Sequence, residues 1–339
     1  MKRLILFPEK PGSQSGYQKA VAADWERICP QFSDTVICYA TLLGNAGEKW
    51  SQARIILRPS ALSTVRVINL LQRRVSAELR PGLLSALTER RQFDEIFCGE
   101  VVFYRALKEL YPHVSLHVRF HNLFLVSQTR NQVLKYQLPL AARLNLYLLT
   151  RLEKEILADR KVVPIFITEE EYRFFKILYP LRTAHVWPVV GSADVAAKCG
   201  RKRPDATRLI WYGSLSHHKK YALAYFIQHV YKPLRIRMPQ LELHLFGKGS
   251  DSFRGSAAGI TAHGYYSGAS YPFEGNALFI NPDLLGGGIK LKIEGWLREG
   301  IPFISTPFGV EGYQIRENDH VIIKEISEWD EAIYSFFNC

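Results

Sequence analysis

The chain is poor in sulfur: five cysteines and two methionines among 339 residues. Cys29, Cys38, Cys98, Cys199 and Cys339 are odd in number, scattered, and form no C-x-x-C pair. That argues against a disulfide framework or a cysteine-based structural zinc, and fits free thiols in a reducing compartment. No run of about 18 apolar residues occurs, so no helix is expected to span a bilayer. The apolar residues after Met1-Lys2-Arg3 stop at Pro8, too soon for a secretory leader, and a cytoplasmic location is expected. No short-period repeat suggests a solenoid. G-x-S-x-G and G-x-x-x-x-G-K are both absent, which argues against a serine hydrolase and a P-loop. His217-His218 has no nearby carboxylate or cysteine to complete a ligand set, so no metal is assigned.

What is present is a chain that is 47% hydrophobic, long enough for two cores, with a net charge of +12. Such a surface attracts anions: acidic membranes, nucleic acids or phosphorylated small molecules. Positive charge concentrates at residues 54–91, where Arg54, Arg58, Arg66, Arg73, Arg74, Arg80, Arg90 and Arg91 face only Glu78 and Glu89. Within it, Leu62, Val65, Ile68 and Leu71 fall near one helical face. A basic amphipathic helix reads as an element for an anionic membrane surface; an ordinary surface helix packed on the core is an equal alternative. No nucleic-acid-binding signature accompanies the charge, and nucleic acid is not an expected partner.

Apolar runs alternate with helical patterns. "KRLILFPE", "TVICYA" (35–40), "EIFCG" (95–99), "VSLHVRFH" (114–121), "VVPIFIT" (162–168) and "HVWPVV" (185–190) suit parallel strands. Helices are expected at 142–160 and 169–180, the second opened by Thr168 and three glutamates. Residues 193–207, small, polar and basic, read as a linker. The alternation restarts with "RLIWYGS", a long helix, "LELHLFGKG", "ITAHGYY", "NALFINP", "IPFIST" and "HVIIK". The expected class is therefore α/β: two Rossmann-like domains, 1–192 and 208–339, facing each other across a cleft. Ligands in such sheets lie beyond the carboxyl ends of the strands.

One stretch concentrates chemistry. "NALFINP" ends a strand, and "GGGIKLKIEGWLREG" opens a helix that Gly300 closes. A helix N-terminus offers unpaired N–H groups to a phosphate, and glycines let the backbone come close. Lys290 adds a full charge against a diphosphate. Glu294 lies within the first turns, where a carboxylate can accept sugar hydroxyls.

"GGGIKLKIEGWLREGIPFISTPFGVEG", with "LIWYGSLSHHKKYALAYF" and "LELHLFGKG" before it, resembles the nucleotide-binding half of GT-B glycosyltransferases, in particular glycosyltransferase family four and its group-one relatives. The likeness is specific over about 208–312 and looser in the first domain. It implies that Glu294 holds the nucleotide ribose, that Gly287, Gly288 and Ile289 meet the diphosphate, and that Lys290 stands alongside. Ser214 falls where many members carry arginine, and Lys219 or Lys220 near a phosphate-binding lysine. Gly247 and Tyr265 would flank the base. Gly16 matches the glycine loop facing the donor from the first domain. His121 matches a histidine near the transferred sugar; a structural histidine at a strand end is the alternative, and Arg119 and Asn122 beside it make a polar cluster.

The first acid of the family's two-glutamate motif falls at Gly286 and is missing. No Asp-x-Asp occurs, so nothing resembles the metal-holding acids of the other glycosyltransferase fold. The resemblance thus implies a cytoplasmic, peripheral glycosyltransferase with no cofactor, metal-independent and retaining. It would move a sugar from a nucleotide-diphosphate sugar to a lipid-linked or polysaccharide acceptor, binding nucleotide in the second domain and acceptor in the first. A degenerate, non-catalytic GT-B partner protein and a GT-B-fold nucleotide-sugar epimerase are the alternatives.

Overall fold

The computed structural model describes residues 2–7, 16–28, 35–39, 53–56, 92–126, 140–188, 207–266, 277–313, 315 and 320–338. The chain divides into two units, Met1–Gly191 and Ser192–Cys339. The proposed basic helix within 54–91 lies outside the described residues, as does the expected linker apart from Thr207.

The first unit is a parallel sheet of β1 (Arg3–Phe7), β2 (Thr35–Tyr39), β3 (Ala53–Ile56), β4 (Glu95–Cys98), β5 (Ser115–Arg119), β6 (Val162–Phe166) and β7 (His185–Val186). Their spatial order is β3-β2-β1-β4-β5-β6-β7. Helices α1 (Gly16–Ile28), α2 (Tyr104–Leu110), α3 (Leu140–Ala158) and α4 (Glu169–Leu178) connect them. The continuous apolar run of β1 follows from burial on both faces. Leu4 and Leu6 join one core cluster, while Ile5 and Phe7 join another. Thr168 caps α4, its Oγ1 accepting from Glu171 N at 3.2 Å, and the acid-rich first turn complements the helix dipole.

The second unit repeats the plan with β8 (Arg208–Tyr212), β9 (Glu242–Phe246), β10 (Ile260–Gly264), β11 (Leu278–Asn281), β12 (Phe303–Ser305) and β13 (Val321–Ile323). They run parallel in the order β10-β9-β8-β11-β12-β13. Helix α5 (His217–Phe226) passes through a π-turn at Ile227–Tyr231 into α6 (Lys232–Arg237); α7 is Leu291–Glu299 and α8 is Trp329–Asn338. Leu209 and Trp211 point to one face of β8 and Ile210 to the other. Counted within each unit, both sheets keep the order 3-2-1-4-5-6 of a doubly wound dinucleotide fold, the first with a seventh strand beyond it. In the second unit, the order reverses between β8 and β11. A ligand crevice is expected at that switch point. Among the described residues, no helix is long and apolar enough to cross a membrane.

Candidate functional site

At the switch point of the second unit, two loops leave neighbouring strands. The first, Gly213–Ser216, leads from β8 into α5. The second, residues 282–290, leads from β11 into α7. Asn281, fully buried at the end of β11, donates through Nδ2 to Ser305 Oγ (3.0 Å) and to Gly309 O (2.9 Å). Thr306 Oγ1 donates to Asp283 O at 2.5 Å and accepts from Gly309 N at 2.9 Å. At the far end of the loop, Tyr313 donates its hydroxyl to Lys290 O at 3.2 Å. The glycine segment is therefore pinned at both ends by the chain that follows β12.

Between those anchors, Gly286 (φ +118°) and Gly288 (φ +69°) take conformations that other residues rarely adopt. Gly287 and Ile289 lie beside them, half-buried. Among the described residues no side chain caps α7; the amide of Ile293 donates to Lys290 O (2.9 Å), and those of Leu291 and Lys292 before it suit an anion. Lys290 precedes the helix with its ammonium donating to Gly288 O at 2.9 Å and lying 3.8 Å from the Phe308 ring centroid. Glu294 is half-buried in the first turn of α7 and has no hydrogen-bond partner among the described residues.

Two groups that sequence reading passed over complete the corner. Asp283 is 1% exposed, and neither carboxylate oxygen has a hydrogen-bond partner among the described residues. Burial pushes its pKa up, but Lys292, Lys219, Lys290 and His218 together hold it below the usual range. Lys292 Nζ is out of solvent and without a hydrogen-bond partner among the described residues, 5.8 Å from the Trp211 ring centroid and 5.4 Å from that of Trp296. Burial foremost, with Lys219 and Lys290 adding and Asp283 opposing, brings its pKa down to about 8. The only hint in sequence was the spacing of "IKLKIE", and nothing there said that the second lysine turns inward. His218, considered in sequence only as a metal ligand, lies over Gly286. Burial, with Lys219, Lys290 and His217, lowers its pKa to about 4 against the pull of Asp283, so the ring is neutral. Among the described residues, no cluster of three histidine, cysteine or carboxylate side chains could hold a metal.

The other expected donor residues fall around the same edge. Ser214 is exposed on the β8–α5 loop; Lys219 is half-buried and Lys220 exposed in the first turn of α5. Gly247 follows β9 with φ +120°, and a Cβ there would come 1.9 Å from Gly213 O, so the turns after β8 and β9 abut. Tyr265 follows β10 and is 78% exposed.

In the first unit, Gly16 is the first residue of α1. His121 follows β5, and its Nε2 lies 2.9 Å from Gly99 O, which makes Nε2 the donor. Burial foremost, with Arg119 beside it, pushes the imidazole down to about 3, so the ring is neutral. The polar cluster expected at this strand end is split. Arg119 turns inward, fully buried, its Nε 2.9 Å from Asp24 Oδ2 and its other nitrogens donating to Phe166 O (3.0 Å) and Trp187 O (2.6 Å). It is a core residue that ties β5 to α1, β6 and the end of β7.

No protein-family model matches the chain, and no curated protein matches it in sequence. Solved structures do. A sucrose-phosphate synthase from Thermosynechococcus elongatus superposes with a TM-score of 0.60 at 14% identity, covering 100% of this chain and 90% of its own. TarM superposes with a TM-score of 0.62 at 9% identity, over 99% and 92% of the two chains. HepE of Anabaena, in complex with UDP and glucose, gives 0.52 at 12% identity, over 99% and 89%. The fold is that of the GT-B glycosyltransferases, with two parallel α/β sheets.

Proposed function

We propose that the protein is a glycosyltransferase that moves a sugar from a nucleotide-diphosphate sugar to a lipid-linked or polysaccharide acceptor in surface-glycan synthesis. The observation that carries this reading is the β11–α7 junction. A pinned glycine loop at a sheet switch point delivers an uncapped helix N-terminus and Lys290 to one place. That arrangement suits a diphosphate, and Glu294, free to accept, suits the ribose hydroxyls one turn on. As the bond from the sugar's anomeric carbon to the phosphate oxygen breaks, negative charge grows on the leaving diphosphate. Lys290, Lys219 and the helix amides are already oriented there and lower the cost of that charge. We read the reaction as metal-independent on the strength of these cations, and as retaining on the resemblance alone. That a similar structure is a complex with UDP and glucose supports a nucleotide-sugar donor. The first unit would take the acceptor, with residues 54–91 against an anionic membrane face on the cytoplasmic side.

The departures Gly286 and Ser214 favour one second reading, a nucleotide-binding partner protein without turnover. A panel of nucleotide sugars read by mass spectrometry, with and without glycan acceptors, separates the two. Turnover in wild type, and a loss of about 100-fold or more in Lys290→Ala and Glu294→Ala, supports the transferase. Nucleotide binding without turnover on any acceptor supports the partner protein. Variants that release nucleotide as fast as wild type overturn the site.

A further inference from the structure

We infer that Asp283, Lys292 and His218 form a subsite that reads the hydroxyls of the transferred sugar. This rests on the donor-site reading above and says which residues of that site choose the sugar. Among the described residues, Asp283, 1% exposed, has two unpartnered oxygens, and the solvent-excluded Lys292 Nζ is likewise unpartnered. No hydrogen bond or ion pair joins them, although each lies within the other's field. Leaving such groups unsatisfied costs more than almost any other local defect, so the corner is completed by something that hydrogen-bonds to both.

The mixed signs narrow what that is. A second anion would be repelled by Asp283, and a cation by Lys219, Lys290 and Lys292. A hydroxyl donates to a carboxylate and accepts from an ammonium at once, and vicinal hydroxyls satisfy both groups together. The corner adjoins the loop proposed for the diphosphate, three residues upstream of Gly286. The neutral His218 ring stands over the position where residue 286 would project a side chain, 3.1 Å (Cδ2) and 3.2 Å (Nε2) from a Cβ there. Its Nε2 is 3.1 Å from Ser216 Oγ, so that edge of the ring is already held. Side chains from the first turns of α5 and α7 and from the loop after β11 thus lie within one another's field, with His218 beside residue 286.

The test is calorimetry on the full chain. The probes are UDP, GDP and ADP beside UDP-glucose, UDP-galactose, GDP-mannose and ADP-glucose, with wild type, Asp283→Asn and His218→Ala. Wild type is expected to bind one sugar conjugate more tightly than its parent diphosphate and to discriminate between epimers. Asp283→Asn should weaken that conjugate about tenfold or more, the worth of a hydrogen bond to a charged group. It should leave the parent diphosphate unchanged or tighter, because a negative charge beside it has gone. His218→Ala, at a half-exposed ring that the fold can spare, should reduce epimer discrimination with the parent diphosphate unaffected. Equal weakening of conjugate and parent in both variants overturns the subsite and makes Asp283 a brace for the lysines. No change in either ligand also overturns it, the unpartnered groups then being satisfied by water. If wild type binds none of the diphosphates, the donor-site reading itself fails, and the subsite with it.

Discussion

The His218 imidazole and the backbone of Gly286 fill one corner so closely that a Cβ on residue 286 would sit 3.1 Å from His218 Cδ2. Gly286 also holds φ at +118°, where an L side chain is strained. Restoring an acid there is therefore not a repair. Gly286→Glu is expected to cost about 1–3 kcal/mol of stability, seen as a lower Tm, with no gain in turnover. Adding His218→Ala should recover the steric part of the loss and leave the backbone part. A Gly286→Glu protein that melts like wild type would contradict this packing.

Thr306 links the second anchor of the β12 loop to the first residues after β11. Its hydroxyl donates to Asp283 O and accepts from Gly309 N, and the residue is 1% exposed. Thr306→Val keeps the shape and orphans Asp283 O, while Gly309 N keeps its bond to Thr306 O, at about 1–3 kcal/mol. Because the same bond pins the backbone of the loop proposed for the diphosphate, diphosphate affinity should also fall several-fold. Thr306→Ser should restore most of both in parallel melting and calorimetric measurements.

Strands and the glycine loop were legible because their signals are local. Strands such as β1 and β8 read as short apolar runs, and the junction at 281–300 as strand, glycine and helix in order. β3, at Ala53–Ile56, was not legible, since it sits inside an arginine-rich stretch whose apolar spacing suggested a helix further on. Nor was α2, Tyr104–Leu110. Arg119 read as a site residue because a charged residue at a strand end usually faces solvent. Its burial depends on Asp24, 95 positions earlier, which no local pattern brings to it. Lys292 was missed for the same reason. Its neighbours Trp211 and Asp283 come from β8 and from the loop after β11, and only the sheet order puts them together.

Lys292 gives the site a pH limb. With its pKa brought to about 8, mainly by burial, the ammonium is lost above that pH in the free protein. Where a charged Lys292 contributes to donor capture, kcat/KM falls by up to tenfold per pH unit above about 8, since that ratio reports the free enzyme. Lys292→Arg stays charged throughout and should remove the limb. Stability moves the other way. The unfolded chain holds this proton up to about 10.5 and the folded chain only to about 8, so this group's contribution to stability rises with pH across that window. A limb that persists in Lys292→Arg belongs to another group.

Glu153, fully buried on α3, accepts from Phe124 N and Leu125 N, both at 2.8 Å. Burial outweighs those two amides and, with Glu171 and Glu100 nearby, raises its pKa to about 8. Between the usual 4.5 and about 8, the folded chain therefore binds a proton that the unfolded chain has released. The stability it contributes is fully present below 4.5 and is lost as pH rises to about 8. The slope is about 1.4 kcal/mol per pH unit. Asp24, raised to about 6 chiefly by burial, acts in the same direction from 3.8 upward. The first unit should thus melt at a lower temperature at pH 8 than at pH 6. Glu153→Gln, which cannot ionise, should flatten that dependence between pH 6 and 8. Its Tm should rise relative to wild type as pH increases, because the buried charge no longer forms. The same slope in Glu153→Gln as in wild type would assign the titration to a different buried group.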